Sequence, residues 1–140
     1  MAGADNTGRS NTAEGDVMSD EKSILPEGGI AQLAAALSKA QAEMVPPKKT
    51  HTAKIPGRGD YHYSSLDELI DALRQPLANH GLAFIQVVHT INQTHVGVET
   101  LILHESGQQV SGGIVILPAG NTAQMTGSAL TYGRRYSLGC

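Results

Sequence analysis

The amino-acid sequence predicts an α+β domain, a three-stranded antiparallel β-meander flanked by helices in the order α-α-β-β-β-α, behind a disordered N-terminal leader. Three observations carry that expectation. Two stretches, 30–45 and 65–81, repeat apolar residues at helical spacing. Three runs, 83–91, 96–103 and 108–117, are rich in β-formers and joined by turn-rich links of four residues. A third helical stretch, 122–138, follows the break Pro118–Asn121. At 140 residues and 40% apolar content, the chain has room for one core.

Residues 1–28 hold six acids against two bases and almost no large apolar side chains, so ordering them would cost entropy with no burial to offset it. They read as an acidic disordered leader, and 29–140 as the folded core. In that core Ile30, Leu33, Ala34, Leu37, Ala40 and Met44 define the first helix. Pro46-Pro47 ends it, because proline lacks an amide hydrogen and pushes its predecessor out of the helical region. From Lys48 to Tyr63 there is no periodicity, and the stretch reads as a loop with a short strand at its end. Ser65 and Glu68 match a capping box, and Leu66, Leu69, Ile70, Leu73 and Leu77 follow on one helical face toward Gly81. Pro76 inside this second helix predicts a kink or a tightened last turn.

The middle β-run alternates Val96, Val98, Thr100 and Ile102 with Gly97, Glu99, Leu101 and Leu103, so both of its faces are partly apolar and cover is expected on each. Asn121, with Gln124 three positions on, is the expected N-cap of the last helix.

Composition excludes several classes. The single cysteine, Cys140, rules out an internal disulfide and a CxxC-type zinc or redox centre, and fits a reducing cytosol. No apolar run is long enough to span a bilayer, and no G-x-x-x-x-G-K-[ST] loop is present for a nucleotide triphosphate. The six histidines lack metal-ligand spacing, so neither a metal nor another cofactor is expected. The tripeptide Arg58-Gly59-Asp60 has no secretion signal to give it an adhesive role.

The net charge of −3 conceals a division, since residues 29–140 hold eight bases against seven acids. Four of those bases, Lys48, Lys49, Lys54 and Arg58, fall within eleven positions. This local patch suits phosphate, and Tyr61 and Tyr63 beside it offer stacking rings. In the last helix Tyr132 and Tyr136 lie one turn apart, while Arg134 and Arg135 point to different sides. If the tyrosine stripe packs on the sheet, Arg135 is partly buried beside it and Arg134 faces outward. Spacing alone equally allows core tyrosines with solvated arginines.

The run GSALTYGRRYSL at 127–138 resembles the G-S-A-x-T-Y-x-R-R-Y-x-L signature of the ERF (essential recombination function) family. Tyr63-Ser64-Ser65-Leu66 and the segment from Pro76 to Leu82 resemble that family's Y-x-x-L and P-L-x-x-H-G-L pieces. His104-Glu105-Ser106-Gly107 and the basic stretch Lys48–Lys54 fall in the matching places. The resemblance covers roughly 30–140. The family pattern usually continues past the RRY helix, so the sequence reads as a core truncated at its C-terminus.

The resemblance implies ATP-independent binding and annealing of single-stranded DNA in phage recombination, by ring-like homo-oligomers in a bacterial host cytoplasm. A host or phage single-strand-binding protein or exonuclease would be a further partner. No membrane and no catalysis are implied. The expected DNA-binding residues are Lys48, Lys49, Lys54, Arg58, Tyr61, Tyr63 and Arg134, with Tyr132, Arg135 and Tyr136 in structural or subunit contacts. Two other classes stay open: a metal-dependent nuclease using Asp67, Asp71 and Glu99, and a purely structural oligomerisation module.

Overall fold

A computed structural model describes residues 28–139, so the expectation for the leader lies outside the described residues apart from its last position. The elements are α1 (Ala31–Glu43), β1 (His51–Ile55), β2 (Gly59–Tyr63), α2 (Leu66–Asn79), β3 (Leu82–Asn92), β4 (His95–His104), β5 (Gln109–Pro118) and α3 (Ala123–Leu138). The expected order is present, with one addition. The short strand expected at the end of the 48–63 stretch is β2, but the rest is not a loop: β1 pairs with β2 in an antiparallel hairpin with His51 opposite Tyr63 and Lys54 opposite Asp60. Its turn is built by Pro56-Gly57, where Gly57 takes φ 79° and the Arg58 amide donates to the Ile55 carbonyl at 3.0 Å. Nearly every hairpin residue is exposed, so neither face had to be apolar and no period-two signal appears in the sequence.

Strands β3, β4 and β5 form the expected meander in spatial order β3-β4-β5. The registers Phe84–Ile102, Gln86–Thr100 and Val88–Val98 set one face, and all three helices lie on it. Leu33, Ala36 and Ala40 of α1 pack with Leu77 of α2 and Leu82 of β3, and Leu73, Phe84, Ile102 and Val110 close around them. Ala36 takes the buried place expected for Ala34, since the buried arc follows 33, 36 and 40. The opposite face is not covered by any described element. Ile85, Ile91, Ile114 and Ile116 stay exposed there, contrary to the expected cover on both faces. In their midst Glu99 is engaged by Ser111 Oγ at 2.5 Å and His89 Nε2 at 2.8 Å.

Helix ends follow from specific side chains. α1 begins at Ile30, which cannot cap, and its free Leu33 amide donates to Gln108 Oε1 from the β4–β5 turn at 2.9 Å. α2 has the expected capping box: Ser65 Oγ accepts from the Glu68 amide, and Glu68 Oε2 accepts from the Ser65 amide. Pro76 is accommodated within α2, and the chain leaves through a tightened turn in which the His80 amide donates to the Leu77 carbonyl. His80, the C-cap residue, also reaches Glu43 Oε1 at 2.7 Å and so ties α2 to α1. The N-cap of α3 is Thr122 rather than Asn121, because the Thr122 hydroxyl accepts the Met125 amide.

α3 crosses the sheet at Gly133. A Cβ there would lie 2.7 Å from Leu117 Cδ1 and 2.8 Å from Val98 Cγ2, closer than side-chain contacts allow. Glycine thus sets the depth of the helix, and Ser137 Oγ one turn on meets Thr100 Oγ1 at 2.6 Å.

Candidate functional site

Because Gly133 and Ser137 take the sheet-facing side of α3, the tyrosines at 132 and 136 cannot. Both tyrosines are 48% exposed, so the condition that the stripe packs on the sheet is not met. They stack on each other with centroids 6.1 Å apart. Arg135, half-buried, projects from the outward side of α3 over three rings: Tyr63 at 4.6 Å, Tyr132 at 4.9 Å and Tyr136 at 5.3 Å. The positive guanidinium is attracted to the negative ring faces, so the cluster holds itself together without a carboxylate. Among the described residues the salt bridges are His80–Glu43 and His89–Glu99, and the contacts of the Arg135 guanidinium are aromatic.

Tyr63 arrives from the hairpin. The β-alternation puts it on one face with Tyr61, its stacking neighbour at 6.0 Å, and opposite His51 at 5.6 Å. Lys54, Thr52 and His62 take the other face, so the hairpin separates Lys54 from the tyrosines that the sequence placed beside it. Lys48 and Lys49 lie exposed in the segment entering β1, and Arg58 is exposed at the turn. The base of the hairpin is fixed by the Thr50 hydroxyl donating to Glu68 Oε1 and by Ser64 Oγ donating to the Lys48 carbonyl at 3.2 Å. The Thr50 bond, followed by the Ser65 amide, holds the Glu68 carboxyl below the ordinary carboxylate value.

Arg134 points to the other side of α3, exposed as expected, but it is not idle. Its Nε donates to Gln86 Oε1 at 2.9 Å, while Gln86 Nε2 donates to the Arg134 carbonyl at 2.9 Å. The site therefore brings Tyr61, Tyr63, Tyr132, Arg135 and Tyr136 together and leaves Lys54 and Arg134 apart from them.

Between hairpin and α3 lies a cavity of about 260 Å³, walled by His51, Tyr63, Leu66, Thr131, Tyr132 and Arg135. None of His51, Leu66, Thr131 and Gln86 was among the expected site residues, although Leu66 and Thr131 fall within the motifs that carry the family resemblance. A signal existed for Gln86, a polar residue at an inward position between Phe84 and Val88. For His51 the signal was the Pro56-Gly57 turn, which sets the hairpin register.

The carboxylates of the nuclease alternative do not assemble. Asp67 is exposed in the first turn of α2, Asp71 is exposed one turn further on, and Glu99 sits in the sheet with Ser111 and His89. Among the described residues no group of three or more His, Cys, Asp or Glu side chains is placed to share a metal ion. No helix among them is long and apolar enough to cross a membrane.

Fold and site together define a helix-backed β-meander protein whose distinctive chemistry is an arginine clasped by tyrosines from two separate elements. The chain belongs to the ERF superfamily: the model of that family matches residues 33–140. Membership supports a role of the phage recombination and annealing type. No curated protein and no solved structure matches the chain.

Proposed function

We propose that this chain binds single-stranded DNA and anneals complementary strands without ATP, as a homo-oligomer. The observation that carries the reading is the meeting of hairpin and α3 at Tyr63, Tyr132, Tyr136 and Arg135. Half-exposed rings beside a guanidinium suit unpaired bases, because every base has a stacking face, and such contacts tolerate any sequence. Lys48, Lys49 and Lys54 supply phosphate neutralisation from the hairpin and its approach, with Arg58 at the tip and Arg134 on the far side of α3. Annealing needs strands that are held but not chemically altered, which fits a surface built from stacking and charge. The exposed isoleucines of the outer sheet face offer apolar surface for subunit contact.

The test is filter binding of a labelled oligothymidylate across a salt series, with annealing of complementary strands followed without nucleotide. Salt-sensitive retention and annealing without ATP are expected. Shortening of the strand in Mg²⁺ would support the nuclease, and absence of any salt-sensitive retention would support a purely structural module.

A further inference from the structure

We propose that the cavity between the hairpin and α3 receives one unpaired nucleobase of the bound strand, and that this pocket makes the protein prefer single strands over duplex. The inference rests on the single-strand reading above and adds where a base goes. The cavity of about 260 Å³ equals roughly nine waters at about 30 Å³ each, room for a flat heterocycle. It is smaller than the roughly 300–1,000 Å³ usual for drug-sized ligands, so a long apolar ligand fits poorly. Its walls suit a base: the rings of Tyr63, Tyr132 and His51, with Leu66 giving apolar contact.

The polar groups of the cavity point the same way. Thr131 donates its hydroxyl to the Gly127 carbonyl, and Ser65 is committed to the capping box. Among the described residues Arg135 is held by rings and pairs with no carboxylate, which leaves its planar fork of N–H donors at the cavity wall to meet a ligand. All four bases carry ring-nitrogen or carbonyl acceptors, so a donor-only group accepts any of them. In a duplex those bases are stacked and paired, and filling the pocket would require flipping one out, which costs free energy that a single strand does not have to spend.

The probes are an oligothymidylate and an abasic deoxyribose-phosphate oligomer of equal length, which share phosphates and differ in bases. The wild-type chain should bind the oligothymidylate roughly ten-fold tighter or more. Thr131→Phe fills the cavity from the α3 side and should bring that ratio toward one, leaving abasic affinity and the salt slope unchanged. A strand carrying 5-iodouracil should, on irradiation, crosslink the wild-type protein at Tyr63, Tyr132 or His51, a readout that needs no variant. Equal wild-type affinity for the two oligomers, or crosslinks confined to other residues, overturns the pocket. A full ratio retained by a Thr131→Phe protein of unchanged melting temperature does so too. Loss of salt-sensitive binding to both oligomers in the wild type would instead overturn the single-strand reading itself.

Discussion

The Arg135 guanidinium lies 4.6 Å from the ring centroid of Tyr63, and this contact joins α3 to a hairpin otherwise attached near its base. Each cation–π contact contributes about 0.5–2 kcal/mol depending on exposure, and three rings share this cation. Arg135→Ala is expected to lower single-strand affinity about ten-fold and to speed chymotrypsin cleavage after Tyr61 and Tyr63. Arg135→Lys, which keeps the charge but loses the planar fork, should fall between. Cleavage rates equal to wild type in both variants would show that the hairpin does not depend on this contact.

Gly133→Ala sets two effects against each other. Alanine favours helix by about 1 kcal/mol over glycine. The added methyl meets Val98, a fully buried and branched residue that cannot turn away, and overpacking of that kind costs about 1–3 kcal/mol. Net destabilisation of about 1 kcal/mol is expected, read as a lowered denaturant midpoint at unchanged slope.

Replacing Lys48, Lys49 and Lys54 together with alanine should weaken binding to all sequences alike. The slope of log affinity against log salt should fall by up to about 0.7 for each phosphate left without its lysine. Since Lys54 stands opposite Asp60, its single replacement should change the slope least. A slope unchanged in the triple variant would move the strand's path away from the hairpin.

Three carboxylates make stability depend on acid. Glu43 is lowered by Asn79 and then His80, Glu68 by Thr50 and then the Ser65 amide, and Glu99 by Ser111, which outweighs desolvation, with His89 adding. In each case the unfolded chain takes up the proton first. Their stabilisation is therefore complete above the ordinary value of 4.5 and fades as pH falls through the lower folded values. Calorimetry should show a melting temperature that falls steadily below that point. Glu68→Gln should melt lower at neutral pH and lose less in acid.

Helices and meander were legible because each has one face against the core, and burial writes its period into the sequence. The runs at 83–91, 96–103 and 108–117 match β3, β4 and β5 to within a residue or so at each end. The hairpin was illegible for the opposite reason, since an arm exposed on both faces carries no apolar alternation. Spacing placed Tyr132 and Tyr136 together on one side of α3 but could not say which side met the sheet. That was decided by Gly133, whose missing side chain lets the backbone approach Val98 and turns the tyrosines outward. Arg134 was read as outward and is exposed, yet its clasp with Gln86 depends on a pairing across distant sequence that no local pattern reveals.

The open isoleucine face has a consequence for how the molecule responds to its solvent. The carboxylate interrupting it, Glu99, accepts from the Ser111 hydroxyl and is paired with His89 Nε2, so its oxygens are engaged within an otherwise largely apolar patch. Sulfate, being excluded from protein surfaces, strengthens the drive of such apolar area to leave water, whereas ions at the lysines compete with phosphate. On the proposed reading, a sulfate salt would therefore act with opposite sign on the two sides of the domain, favouring contact between isoleucine faces while weakening phosphate contacts at the lysines.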